Sequence, residues 1–597
     1  MQSINTIYLK NLKESYRNRG GKNMLFTVIK KNSYQDSVNL MLLTKSLSSM
    51  EGISQISVMM GTPANKDIFK NSGLYTEELE DACPNDICIV VDTEDKSKID
   101  EVMMEIEDFI KNQSSKSKGS KIPSARTFDT AISKVNDANL ALISIAGEYA
   151  TDEVERALDR NLNVFLFSDN VNIEDEKRLK EKADEKGLIL MGPDCGTSIL
   201  GGVPLAFANV IEKGNIGVVG ASGTGIQEIT TIISRYKKGI THAIGTGGRD
   251  LSSQVGAITA IRALRALAKD EETDVIVFVS KPPSPEIMNK VIKVFTQLEK
   301  PVVAIFLGEK PRKNHDNVHY AWTLDEAALK AVELSNMNTI SYKKIESTIP
   351  EIKTIKENKN KRFIKGLYCG GTLALEAAMI IRDYLKIEDD KNHDNGIMLH
   401  YENHEIIDLG DDKYTKGRPH PMIEPSLRVD ELKKVIEMKE TAIILMDNVI
   451  GYGGHNDVAS VFAPVIKEAR EKAKKNGNEI IFIGSVTGTS NDPKTYEDQV
   501  EILRESGAII CESNALAVKL AIKIIDYLNC EKTVEEEKKE INDRVIKLIS
   551  DKPKVINIGL KHFAETVKKY ESDVVQYNWS PIAGGDKRLA KILEKLK

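Results

Sequence analysis

The stretch Ile216-Gly-Val-Val-Gly-Ala-Ser-Gly-Thr-Gly-Ile-Gln-Glu228 runs from an apolar strand, through a turn built on glycines, into a helix. Glycine lets the chain turn sharply at such a point, and a strand, turn and helix in that order belong to a parallel sheet covered by helices. About 150 residues on, the step recurs: Gly366-Leu-Tyr-Cys-Gly-Gly371 leads through Thr372 into a helix passing Leu375-Glu376. Each copy continues to a long apolar strand (Val275 to Val279; Ala442 to Met446), a helix, and a further strand (Val302 to Leu307; Ile480 to Ile483). A repeat of this length is too long for a solenoid and predicts two homologous α/β halves facing each other about a pseudo-twofold axis.

Upstream, the same alternation covers strand Leu140 to Ile145, helix Thr151 to Arg160, strand Val164 to Ser168, helix Glu174 to Lys186 and strand Leu188 to Met191. Near-continuous apolar strands of this kind are covered on both faces. Further upstream stands a small α+β unit: strands Leu25 to Ile29, Ile56 to Met60 and Ile87 to Val91, with helices Ser37 to Leu47 and Ile99 to Ile110. Two polar stretches, Lys111 to Lys121 and Lys343 to Lys361, read as linkers. A charged helix, Val534 to Leu548, leads to a tail that opens with strand Val555 to Ile558. The expected domains are therefore 1–113, 122–214, 215–342, 362–530 and 531–597.

The 597 residues carry 83 Lys+Arg against 89 Asp+Glu, a net charge of −6, and 41% of them are hydrophobic, enough for several packed cores. With no basic stripe to neutralise phosphates, nucleic acid is not an expected partner. No apolar run approaches the roughly 20 residues that span a bilayer. Met1 to Asn23 has no apolar core of a signal peptide. The six cysteines form no C-x-x-C pair and no zinc spacing, so no metal site is expected and the compartment reads as a reducing cytoplasm.

Candidate site residues sit at the strand ends, where open α/β sheets bind ligands. Ser222, Gly223, Thr224 and Gly225 offer N–H groups and hydroxyls at a helix N-terminus, an arrangement that suits an anion. Gly247 and Gly248 end the next strand, beside Arg249, whose fork matches a carboxylate, carbamoyl or phosphate group. In the second half, Gly370, Gly371 and Thr372 repeat the turn. Arg418 and His420 lie in Arg418-Pro-His-Pro421, where prolines stiffen the loop. Gly453 and Gly454 precede His455, which a helix N-terminus would keep neutral and so able to move a proton. Cys195 and Cys369 lie near these turns, but packing is the expected role of both.

Gly192-Pro-Asp-Cys-Gly-Thr197, Gly220-Ala-Ser-Gly-Thr-Gly225 and Gly245-Thr-Gly-Gly-Arg-Asp250 together resemble the α-subunit fold of succinyl-CoA synthetase. With Tyr34 to Asn65, Gly410-Asp-Asp412, Arg418 to Pro421, Gly451 to His455, Val486-Thr-Gly-Thr489 and Asp492-Pro493, the chain resembles the FdrA family more closely still, over about Leu25 to Asn529. The resemblance implies an α/β protein with a small N-terminal α+β domain, a CoA-binding-type Rossmann domain (122–214), and two flavodoxin-like ligase domains (215–342 and 362–530) related by duplication. It also implies one subunit of a multisubunit oxamate carbamoyltransferase in anaerobic allantoin breakdown, converting oxalurate and phosphate to oxamate and carbamoyl phosphate without a required cofactor. His455, His420 and Arg249 would be catalytic there, and the glycine turns with Arg418 would hold phosphate and substrate. The alternative is a succinyl-CoA synthetase-like, NDP-forming acyl-CoA synthetase acting with a separate nucleotide-binding subunit, and it would use CoA. That family's Gly-His-Ala-Gly phosphohistidine loop is missing: no glycine flanks His315. The tail, with Asn578-Trp-Ser-Pro-Ile-Ala-Gly-Gly-Asp586, looks like the start of a family that accompanies FdrA, and it is expected to dock a partner subunit.

Overall fold

The computed structural model describes residues 12–18, 24–95, 97–116, 122–135, 137–336, 362–387, 395–455, 457–475, 479–529, 543–558, 560–578, 588, 589, 592 and 595. The linker expected at 343–361 lies outside them, as does most of the helix expected from Val534. The described residues form two compact units, Met1–Asn529 and Cys530–Lys597.

At the N-terminus, β1 (Leu12–Asn18), β2 (Met24–Lys30), β3 (Ile53–Met60) and β4 (Ile87–Thr93) form an antiparallel sheet in the order β1-β2-β4-β3. The edge strand β1 is polar and went unread in the sequence. Leu40, Leu43 and Leu47 of helix Ser37–Ser48 and Val102 and Ile106 of helix Ser97–Lys116 bury one face of that sheet. The linker expected from Lys111 is corrected at its start. Helix Ser97–Lys116 runs six residues into it, because nothing in Lys-Asn-Gln-Ser-Ser-Lys breaks a helix before Gly119.

Next, β5 (Leu140–Ile143), β6 (Asn163–Leu166) and β7 (Leu190–Met191) make a short parallel sheet. A hairpin, β8 (Thr197–Leu200) and β9 (Val203–Ala206), then joins the first large sheet. That sheet continues with β10 (Lys213–Gly220), β11 (Ile240–Gly245), β12 (Val275–Ser280), β13 (Val302–Phe306) and β14 (Val318–Tyr320), whose parallel part runs β11-β10-β12-β13-β14. The second large sheet holds β15 (Phe363–Tyr368), an antiparallel edge β16 (Ile397–Tyr401), β17 (His404–Asp408), β18 (Thr441–Val449), β19 (Ile481–Thr487) and β20 (Ile509–Cys511). Its parallel part runs β17-β15-β18-β19-β20. Both follow the flavodoxin order 2-1-3-4-5, whose strand order reverses between its first and third strands, so their ligand crevices open there, where the first turn leaves the first strand.

The halves share one core. Ile229 and Ile233 of helix Gly223–Arg235, Ala374 and Ala378 of helix Gly371–Leu385, Ala328 and Val332 of helix Leu324–Asn336 and Val518 of helix Asn514–Asn529 belong to a single buried cluster. Each side chain of Val or Ile size buried there contributes about 2 kcal/mol.

The second unit is a parallel pair, β21 (Val555–Ile558) and β22 (Val574–Tyr577), joined by helix Lys561–Lys569. Among the described residues, no helix is long and apolar enough to cross a membrane.

Candidate functional site

The two first turns meet. Ser222 caps helix Gly223–Arg235, accepting the Gly225 N–H at 3.1 Å, and its hydroxyl is hydrogen-bonded to the hydroxyl of Thr372. A Cβ at Gly225 would stand 3.2 Å from the Thr372 methyl, and one at Gly370 3.0 Å from that of Thr224. Two helix N-termini therefore point at one another across the junction of the halves. The N–H groups of Ser222, Gly223 and Thr224 have no acceptor among the described residues. Those first-turn donors are the ones a helix cannot satisfy itself.

The second turn is wired differently. Asp447, wholly buried at the end of β18, accepts the N–H of Gly370 at 2.8 Å and that of Cys369 at 3.0 Å. Arg428 donates to the same carboxylate at 2.7 Å and stacks on Phe462. A Cβ on Gly371 would strike the Asp408 carboxylate, so a second acid lies against this N-terminus.

Around the junction stand three groups that are not among the expected site residues. Burial pushes the Asp194 carboxyl up to about 6, with repulsion from Asp169 and Asp412 adding to it and Arg249 and Lys281 opposing. Burial likewise raises Asp408 to about 7, against the Gly410 N–H and with Asp447 adding repulsion and Lys281 opposing. Lys281, the exposed residue after β12, thus acts on acids from two different segments. A charged residue at the C-terminal end of a parallel strand was the available signal for Asp408 and Lys281. Asp194 lay inside a quoted run, but its place was invisible until the 192–196 turn was folded beneath Gly248, whose Cβ would lie 3.5 Å from its carboxylate.

The two histidines are brought together through Met422. Its N–H donates to His420 Nδ1 at 3.2 Å, and its carbonyl accepts the His455 N–H at 2.6 Å. Burial and Arg428 lower His420 to about 4, so it is neutral near pH 7, with Nδ1 accepting and Nε2 left as the donor. His455 Nδ1 accepts the Asp457 N–H at 3.0 Å, which sets its ring in the same way. Phe207 lies against this pair: its ring centroid is 6.2 Å from that of His420, and a Cβ on Gly453 would come within 2.9 Å of it. Gly454 lies beside the Met422 carbonyl.

Other expected residues fall elsewhere. Arg249 turns away from the turns to Glu176, 3.0 Å from its carboxylate, and donates to the Val171 carbonyl at 2.7 Å. Gly247 adopts φ +83° because its Cα packs under the Pro193 carbonyl. Arg418 is exposed on a loop whose Gly417 rests on Ile68 of the N-terminal domain. Cys195 and Cys369 are buried thiols, raised by that burial.

Three family descriptions match the chain: "AllF, heavy metal-associated domain" over residues 24–125, "CoA binding domain" over 211–308 and "CoA-ligase" over 367–524. The first implies a metal, but the residues do not fit one. Among the described residues, no three His, Cys, Asp or Glu side chains converge, and burial raises Cys88 to about 12, away from the thiolate a metal needs. The CoA-binding match falls on the first large sheet and its Gly220 to Gly225 turn.

The chain is 38% identical over 507 residues to the uncharacterized protein YahF of Escherichia coli K12, spanning 83% of this chain and 98% of that one. It is 28% identical over 191 residues to succinate–CoA ligase [ADP-forming] subunit alpha 1 of Archaeoglobus fulgidus, covering 31% of this chain and 64% of the relative, so it spans less than two thirds of that protein. Similar solved structures include the dinucleotide-forming acetyl-coenzyme A synthetase 1 of Ca. Korarchaeum cryptofilum, at 15% identity over 66% of this chain and 86% of that one, TM-score 0.29. Another is the ATP citrate lyase of Methanothrix soehngenii, at 14% identity over 68% of this chain and 85% of that one, TM-score 0.30. The expectation of a carbamoyltransferase is thereby corrected. The two descriptions that cover the large sheets are CoA binding and CoA-ligase, and the relatives with an assigned activity are succinate–CoA ligase subunits.

Proposed function

We propose, from the premise that this chain belongs to the FdrA family of succinyl-CoA synthetase α-like proteins, that it is the acyl-transferring part of an acyl-CoA synthetase, acting on a small carboxylic acid beside a separate nucleotide-binding subunit. The observation that carries the reading is the place of the two family matches. CoA-binding and CoA-ligase fall on the two large sheets whose first helices meet N-terminus to N-terminus at Ser222 and Thr372. Acyl exchange between a thioester and phosphate needs an oxyanion held by fixed donors and a group that moves a proton. Ser222, Gly223 and Thr224 supply free N–H donors for phosphate, and Lys281 adds a cation at the neighbouring strand end. Asp408, raised to about 7, is the nearby group able to pass a proton near neutral pH, and neutral His420 offers its Nε2 N–H as a hydrogen-bond donor. CoA, when bound, supplies the thiol that takes the acyl group. No step is routed through His315, which is exposed and pairs with Asp316 at 3.2 Å.

Arsenate tests the reading without the nucleotide subunit, because an acyl arsenate hydrolyses and drains the thioester. The full-length chain, given a panel of short acyl-CoA thioesters, is expected to consume at least one of them only when arsenate is present. Failure to consume any, together with no CoA binding by calorimetry, would remove the proposal.

A further inference from the structure

The two halves superpose in register, and that register exposes a difference. Gly220 of β10 lies beside Val279 of β12, and Leu367 of β15 beside Met446 of β18, so one step on Tyr368 comes level with Asp447. Gly220 and Tyr368 each end their strand, so Val279 and Asp447 hold equivalent places. In the first half, the N–H after the strand, on Ala221, donates to the Val279 carbonyl at 3.0 Å. In the second, the equivalent N–H on Cys369 donates to the side chain of Asp447, and Gly370 follows it. The same carboxylate is held by Arg428, itself buried, which also donates to the carbonyls of Asp447 at 2.6 Å and Leu367 at 3.2 Å. The Asp447 carboxylate meets two N–H groups, one guanidinium and, at 3.6 Å, the Cys369 thiol; the N–H groups and the guanidinium are the contacts an anionic ligand makes with a glycine turn.

We infer that Asp447 is the built-in anion of the second turn, a positioning residue that with Arg428 fixes Cys369 and Gly370 and takes the two N–H groups that an external anion would otherwise bind there. The role of Asp447 does not rest on the proposed function. Gly371 and Thr372, which stand where Gly223 and Thr224 do in the first half, keep N–H groups without an acceptor among the described residues, so both helix N-termini stay open to an external anion. Preset donors lose no entropy when the ligand arrives.

Removal of the side chain tests it. Asp447→Gly leaves a carboxylate-sized hole lined by Arg428 and two N–H groups, and sodium formate is the probe. The thermal midpoint of the full-length chain is expected to fall by on the order of 10 °C, as breaking a buried ion pair does. Formate should return at least half of the loss, sodium chloride at the same ionic strength should not, and the Asp447→Gly/Arg428→Met double variant should not respond to formate. A purely packing role for Asp447 predicts no anion-specific recovery, and that result overturns the inference. Should Asp447→Gly fail to fold, Asp447→Asn keeps the shape. It is expected to lower the midpoint and to show no recovery with formate, because its side chain still fills the place. A wild-type midpoint in Asp447→Asn overturns the inference. Formate recovery in a chain that consumes no thioester would sink the proposed function and leave this inference standing.

Discussion

Glu376, on the first helix of the second half, accepts the backbone N–H of Leu324, the first residue of the last helix of the first half, at 2.7 Å. The relation is reciprocal: Glu228, on the first helix of the first half, accepts the N–H of Asn514, the first residue of the last helix of the second, at 3.2 Å. Both carboxylates start six positions into their helices, counted from Gly223 and Gly371, so the pseudo-twofold relation holds down to single hydrogen bonds. Each caps the other half's helix, an N-terminus that favours a carboxylate.

That buried pair gives a pH dependence of stability with a definite sign. Burial raises Glu376 to about 8 and Asp408 to about 7, so between their ordinary values and these the folded chain holds protons the unfolded chain has released. Stability must fall as pH rises through that window. His420 and His404 work the other way, since burial lowers both to about 4 and stability rises with pH between there and 6.5. Above pH 6.5 the carboxyls act alone. The thermal midpoint is therefore expected to drop between pH 6.5 and 8, and Glu376→Gln to flatten that drop. A midpoint that climbs over the same interval refutes the assignment.

Ser222 and Thr372 are coupled through one hydroxyl contact, so their losses should not add. Ser222→Ala removes a helix cap and leaves Thr372 without its partner, at a cost of about 1–3 kcal/mol. Thr372→Val removes the same contact from the other side. A double-mutant cycle by urea unfolding is expected to give a coupling of about 1 kcal/mol. Additive losses would mean the halves do not meet at this point in solution. Arsenate-dependent thioester loss, where present, should fall in Ser222→Ala more than in Thr372→Val, because Ser222 caps its helix through Gly225 and sets the first turn's donors, while Thr372 caps nothing.

Much of this was legible in the sequence, and what was not has physical causes. The doubled step at Gly220 and Gly366 revealed two parallel sheets because apolar strands followed by glycine turns leave few alternatives. The polar edge β1 was unreadable because an edge strand needs no apolar pattern. The meeting of Ser222 with Thr372 was expected from the repeat. The filling of the second turn was not, because Asp447 sits about 75 residues from the amides it binds, and only register brings them level. Arg249 was read as a ligand fork on the strength of its glycines. Its true neighbour, Glu176, comes from a helix two elements upstream, a pairing that local pattern does not encode.

The N-terminal domain touches the loop that carries His420. Lys45 pairs with Glu424, which Lys45 and Ser426 hold below the usual carboxylate range against the effect of its burial, and Gly417 packs on Ile68. Since Lys45 is half exposed, the pair adds less than about 1 kcal/mol to stability. The expected effect of Lys45→Ala is instead local: faster amide hydrogen exchange across 415–425 at an unchanged thermal midpoint. Unchanged exchange there would show that the loop is held without the N-terminal domain.

Arg249 and Lys281 separate a structural cation from a site cation. Arg249 serves a buried network: Glu176 lies between it and Lys180, Lys180 bonds Asp250 at 2.8 Å, and Asp250 caps helix Ile258–Lys269 through the N–H groups of Thr259 and Ala260. Arg249→Gln strips a buried carboxylate of one of its two cations and is expected to cost on the order of 2 kcal/mol of stability. Lys281 touches no such network and stands exposed at the strand end, so Lys281→Ala should leave the midpoint within about 1 °C, as surface changes do. Its cost falls on the anion: weaker phosphate or arsenate binding by on the order of tenfold, the worth of one charge-assisted contact. Measuring both variants by thermal unfolding and by phosphate dialysis gives a crossed pattern if these roles are correct. If Arg249→Gln instead loses phosphate at full stability, the guanidinium belongs to the site after all, and the ion-pair geometry around Glu176 would have to open in solution.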